Sequence, residues 1–320
     1  MAAAGVATGS PRREIRGREH EQAGLGVGVA VVAVARRSFV HGLYLSAPRF
    51  VVHGLSVTRA AGPRGASLIG VRLLLSALRC EKGAVEENLA EHRRVLGEAR
   101  AADCGMAVFP EMSLTGSVDP SQTPERLVTL EDPAVAAMTA FTSETGVAAV
   151  FGLSERAENG DAHIAQVVAA HGRIVGVQRK RHLGEGEESY TAADADAAVD
   201  LDGVRCAVAI CAESGVDRPF DHAVAVGANL VLLCAAPGLY GRRIDESAWR
   251  RGWEWWRSEG LGDARRHARE RGLWIAVATQ AGSTYDEDFP GGAALVDPTG
   301  RVCAELPDWR AGSLIVDVPL

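Results

Sequence analysis

The stretch VRCAVAICAES, residues 204–214, is an apolar run that ends on a cysteine. Val204 to Ile210 has the length and composition of a strand buried on both faces, and Cys211 stands at its C-terminal end. Two other stretches have the same form. MAVFPE (106–111) ends on Glu111, and RIVGVQRK (173–180) ends on Lys180. Strand ends and the loops after them are where α/β folds usually place function. Taken singly, each residue has a plain structural explanation. A cysteine after an apolar strand is commonly a small buried hydrophobe, a glutamate there caps the next helix, and a lysine between arginines faces solvent. Together they form a kit for acyl transfer: a thiol to attack carbon, a carboxylate to move protons, and a cation to meet the oxyanion.

Working outward, Val71 to Ala77 reads as a buried strand, and Val85 to Ala102 as a helix with Val85, Leu89, Leu96 and Ala99 on one face. Gly105 to Phe109 is the next strand, Pro133 to Thr145 a helix, and Val147 to Leu153 another strand. Ala165 to Val168 and Arg173 to Gln178 read as a hairpin. Strands follow at Asn229 to Cys234, Trp274 to Thr279, Ala293 to Val296 and Ser313 to Val316, with a Trp- and Arg-rich helical segment between the first two. Strands alternating with helices, plus hairpin-like pairs, predict one layered α/β domain.

The chain has 320 residues and a formal charge of −7, which speaks against sequence-independent nucleic-acid binding. Of its 34 basic residues only Lys82 and Lys180 are lysines. The six cysteines lack a CxxC pair, so neither a zinc site nor a disulfide framework is indicated, and reduced thiols in the cytoplasm are the expectation. Residues 1–70 differ from the rest. They hold nine arginines and three acids, a formal charge of +6, so the remainder carries −13. The apolar run Ala23 to Ala35 is shorter than the roughly 20 residues a bilayer span needs. Three readings of residues 1–70 stand: a targeting segment, a flexible extension, or a translation start placed too far upstream, with a valine codon near residue 71 as the true start. In each, the domain occupies 71–320.

Residues 71–320 resemble the nitrilase superfamily, the carbon–nitrogen hydrolases with a Glu-Lys-Cys triad. The resemblance is carried by Phe109-Pro110-Glu111-Met112-Ser113-Leu114-Thr115-Gly116, by Lys180-Arg181-His182-Leu183 and by Ile210-Cys211-Ala212-Glu213. Ala225-Val226-Gly227-Ala228, Phe289-Pro290-Gly291-Gly292 and Asp297-Pro298-Thr299-Gly300 follow in the family's order. The resemblance implies a four-layer α-β-β-α sandwich, with Glu111 as general base, Lys180 as oxyanion stabiliser and Cys211 as nucleophile. The ammonium is expected to lower the thiol pKa toward neutrality, and the backbone N–H of Ala212 to join Lys180 at the oxyanion. A second glutamate is expected in Glu187-Glu188-Ser189-Tyr190, which favours Glu187 over Glu185 or Glu188. Ser117, Gln178, Gln280 and Ala293 depart from the family's usual residues and forbid borrowing a specificity. Trp249, Trp253 and Trp256 share a helical face, so they are candidates for the substrate wall, Trp249 among them, or for a dimer contact, against simple packing of the helix on a sheet. Arg242, Arg243, Arg250, Arg251 and Arg257 are candidates to receive an anion, or ordinary surface cations.

The implied activity is cysteine-dependent hydrolysis of a small linear amide or N-carbamoyl compound through a thioester. Acyl transfer to an amine, nitrile hydrolysis and a non-catalytic scaffold of the same fold are the alternatives. No metal or organic cofactor is implied, nor a nucleic-acid or membrane partner. A homodimer or higher homo-oligomer is expected.

Overall fold

The computed structural model describes residues 32–34, 70–238, 241–242, 245–306 and 311–320. Expectations for the other residues, including most of the basic N-terminal segment and Arg243, lie outside them. Fifteen strands and five α-helices follow one another along these residues.

One sheet has seven strands in the order β1-β15-β2-β3-β4-β5-β6. They are β1 (Val32–Val34), β2 (Gly70–Ala77), β3 (Met106–Val108), β4 (Ala148–Arg156), β5 (Ala162–Ala170), β6 (Arg173–Arg179) and β15 (Gly312–Pro319). The second has six in the order β14-β13-β10-β9-β8-β7. They are β7 (Ala198–Leu201), β8 (Val204–Ile210), β9 (Leu230–Ala235), β10 (Trp274–Thr279), β13 (Ala293–Val296) and β14 (Val302–Glu305). A short hairpin of β11 (Ala281–Ser283) and β12 (Asp288–Pro290) stands apart. The central strands of each sheet are parallel: β2 with β3 and β3 with β4, β8 with β9 and β9 with β10.

The layering follows from strand alternation. Leu73 and Leu75 of β2, Val208 and Ile210 of β8, and Leu230 and Leu232 of β9 join one cluster between the sheets. Leu74 faces the other way, toward helices α1 (Val85–Ala101) and α2 (Pro133–Thr145). Ala207, Ala209, Val231 and Leu233 pack with Phe220, Trp256, Leu261 and Ala264 of α3 (Arg218–Ala225), α4 (Glu246–Ser258) and α5 (Gly260–Arg271). Strands buried on both faces need apolar residues at every position, which explains their continuous hydrophobic runs. The result is the α-β-β-α sandwich. No helix among the described residues is long and apolar enough to cross a membrane.

Local signals fix the ends. Asp132 caps α2 by accepting from Ala134 N (2.8 Å), Pro133 opens the helix, and Gly146 closes it in the left-handed region at φ 72°. The α1 face differs from the apolar stripe expected. Asn88 and His92 are buried in it, while Val85 and Leu89 are only partly covered. The Trp- and Arg-rich segment is two helices. They join at Gly260, where a Cβ would sit 2.3 Å from the Trp256 ring.

Candidate active site

Glu111 follows β3, Lys180 follows β6 and Cys211 follows β8, so the two sheets deliver their strand ends to one place. Lys180 is fully buried. Its Nζ donates to Glu111 Oε1 (2.7 Å) and to Glu187 Oε1 (2.6 Å). Glu187 is thus the second glutamate that reaches the lysine, and its Oε2 accepts from Gly184 N (2.6 Å). The Cys211 thiol lies near enough to Glu111 and to the Ala236 backbone for both to bear on its ionisation. Glu111, Glu187, Cys211 and Ala212 line one cavity of about 810 Å³. Trp255 and Trp256 belong to its wall; Trp249, the sequence candidate, lies outside that lining. Trp253 and Trp256 also pack on the second sheet.

Burial sets the protonation states. The Cys211 thiol is pushed up to about 12, first by desolvation and then by the charge of Glu111, with Lys180 and Ala236 pulling the other way. This direction runs opposite to the expected lowering, because desolvation of the half-buried cysteine and the charge of the adjacent carboxylate outweigh the pull of one ammonium. Glu111 is also raised, by burial and then by Glu187, against the pull of Lys180. Burial works against the charge of Lys180, but Glu111, Cys211 and Glu187 more than offset it and hold the ammonium above its ordinary value. The resting site is a neutral thiol beside an ion-paired lysine.

The backbone around these groups is constrained. Cys211 has φ 45° and Met112, next to Glu111, has φ 48°. Non-glycine residues held there cost roughly 1–3 kcal/mol each, and neighbouring contacts hold them. Gly152 lies so close under the Glu111 turn that a Cβ would come 2.2 Å from Met112 N. His92 Nε2 is 2.9 Å from Ser113 Oγ, which accepts from Gly152 N (3.0 Å). The His92 ring stacks on Phe109, and burial lowers its pKa to about 4, so it is neutral. Gln280 Nε2 donates to Glu111 O (3.0 Å) and Ser117 Oγ (3.2 Å), so two of the divergent positions meet behind the glutamate. A third, Gln178, accepts from Ala197 N (2.6 Å) and braces the lysine strand.

Sequence reasoning missed Glu213. Buried two residues after the cysteine, it accepts from Ile210 N (2.8 Å) through one oxygen and from Arg181 N (2.8 Å) and His182 N (3.4 Å) through the other. It ties the cysteine turn to the lysine loop. An acid inside the apolar block at 204–214 was the available signal. Lys82 also lines the cavity and is held by Asp286 and Glu287 at 3.1 Å each. Arg250 and Arg257 line a different cleft. All six cysteines are free. Asp217, His267 and Glu270 bring potential ligand atoms within 4.8 Å of one another. Arg266 and Arg271 already engage those side chains, which makes the group an ion-pair network.

A 2-oxoglutaramate amidase of Bacillus subtilis (strain 168) is 29% identical over 164 residues; the match covers 50% of this chain and spans 58% of that protein's length. The fold is also that of a solved amidase from Nesterenkonia sp., at 23% identity and a TM-score of 0.67, covering 78% of this chain and 90% of that one. A variant of the Nesterenkonia sp. AN1 amidase in complex with butyramide matches at 22% identity and a TM-score of 0.67, covering 78% and 91%. The profile of the carbon–nitrogen hydrolases matches residues 75–320. With that match, the chain belongs to the carbon–nitrogen hydrolase family.

Proposed function

We propose that residues 71–320 hydrolyse small linear amides or N-carbamoyl compounds through a thioester on Cys211. The observation that carries this reading is Lys180 Nζ, buried against Glu111 and Glu187, two carboxylates that line the same cavity as Cys211. Because the thiol rests protonated, attack on the carbonyl carbon and transfer of its proton to Glu111 belong to one step. The oxyanion that forms is met by the Lys180 ammonium and the Ala212 N–H. An ammonium is a compact charge that fits between two carboxylates, which a planar guanidinium does not. Collapse of the tetrahedral species breaks the C–N bond, and Glu111 returns the proton to the leaving ammonia or amine. Water then attacks the thioester with Glu111 as base, releasing the acid and restoring the thiol. Glu187 holds Lys180 in place through both steps. The substrate is a small molecule, and the reading includes a reduced, cytoplasmic setting and a homo-oligomeric enzyme.

The test is an ammonia-release screen over amides, ureas and nitriles, run alongside Cys211→Ala. Release by the parent from amides or ureas, lost in the variant, is expected. No release from any compound, with parent and variant binding them equally, would make the protein a scaffold of the fold.

A further inference from the structure

We infer that the cavity selects an amide bearing a protonated amine away from the scissile bond and disfavours one bearing a carboxylate; this rests on the proposed amide hydrolysis. Seven carboxylates and one lysine, Lys82, line the cavity, Lys180 is buried against Glu111 and Glu187 of that lining, and among the described residues no arginine lines it. In a chain whose basic residues are arginines except for two lysines, that wall is set apart by charge. Both lysines are engaged. Lys180 is held by Glu111 and Glu187, and Lys82 by Asp286 and Glu287. Neither stands ready to receive a substrate anion. Asp119, Glu185, Glu259 and Asp263 add four more carboxylates, and the arginine that reaches Asp263, Arg266 at 3.4 Å, is outside the lining.

A second feature points to the same ligand. Trp255 keeps 49% of its surface exposed, lines this wall, and sits one helical turn before Glu259, whose N–H donates to Trp255 O (2.9 Å). An indole and a carboxylate on one cavity wall, one helical turn apart, can together bind an alkylammonium group through the ring face and the charge. A substrate carboxylate in the same position would meet like charges at short range and would have to lose its own hydration.

Three amides with the same four-methylene spacer test this: 5-aminopentanamide, hexanamide and adipamate. Ammonia release is measured at low and high ionic strength. The expected order in kcat/KM is ammonium, then methyl, then carboxylate, with at least about tenfold between the extremes at low salt and a smaller ratio at high salt. Glu259→Gln, an exposed change that folding tolerates, should shrink that ratio further. An adipamate kcat/KM equal to or above that of 5-aminopentanamide overturns the inference while leaving amide hydrolysis intact. Silence on all three also overturns it, and counts against amide hydrolysis only if the wider screen is silent too.

Discussion

Replacing Glu213 by Gln separates positioning from contact. The carboxylate does not line the cavity, yet it accepts three backbone N–H groups, one from the residue before Cys211 and two from the residues after Lys180. Glutamine keeps the shape but exchanges one acceptor oxygen for an NH₂ that faces a backbone donor. A hydrogen bond to a charged group contributes about 1.5–3 kcal/mol, and the orphaned N–H adds a desolvation cost. If half or more of that appears as displacement of Cys211 from Lys180, turnover falls by about 10- to 100-fold, since 1.36 kcal/mol is tenfold. The loss should lie in kcat, with KM within about threefold, because nothing that touches substrate has changed. The assay is steady-state ammonia release on a neutral amide, with circular dichroism to show equal folding and iodoacetamide alkylation to follow Cys211 directly. A Glu213→Gln protein with parental kcat and parental alkylation rate would refute the claim that this carboxylate sets the geometry of the pair.

Lys180→Arg should lower kcat by about 100- to 1000-fold, the usual scale for losing one oxyanion donor; unchanged turnover in a folded variant removes Lys180 from that role. The pH profile of kcat/KM should show one acidic limb above the ordinary carboxylate range, since Glu111 is raised and must be ionised to accept the thiol proton. With Lys180 held above its ordinary value, no alkaline loss is expected up to about pH 9.5, and a fall between pH 7 and 9 would contradict it. His92, depressed to about 4, stabilises the fold above its unfolded pKa near 6.5 and loses that contribution as pH falls toward 4. The change is about 2 kcal/mol between pH 7 and 4.5. The raised carboxylates Glu111 and Glu213 act in the opposite sense. Urea unfolding of parent and His92→Asn at both pH values therefore isolates the imidazole, and equal pH dependence in the two proteins would exclude it.

Much of this was legible because the signals are local. The Asp132-Pro133 start and the Gly146 stop bound α2, and the apolar runs of β8, β10 and β13 bound themselves. The short edge strands β7 and β14 have only four residues each and carry no such run. The α4–α5 break has no proline; it depends on how Gly260 meets Trp256, a contact between neighbours on a helix surface that spacing does not encode. In the site, residues with distinctive chemistry at strand ends, Glu111, Lys180 and Cys211, stood out. Residues whose role depends on a distant partner did not. Glu213 needs the lysine loop, Lys82 needs the turn at Asp286 and Glu287, and Trp255 needs the cavity; of the helical face chosen by spacing, Trp256 lines that cavity and Trp249 does not. Even the sign of the thiol shift was hidden, because a neighbouring ammonium can be read from sequence but the depth of burial cannot.

The central claim is that Cys211 carries the acyl group. Its most direct test is acid-quenched peptide mass spectrometry of the enzyme during turnover of an amide it hydrolyses. The account predicts a peptide containing Cys211 heavier by the acyl group and released by hydroxylamine. Ammonia released at the parental rate by Cys211→Ala, with no acylated peptide in the parent, would contradict it.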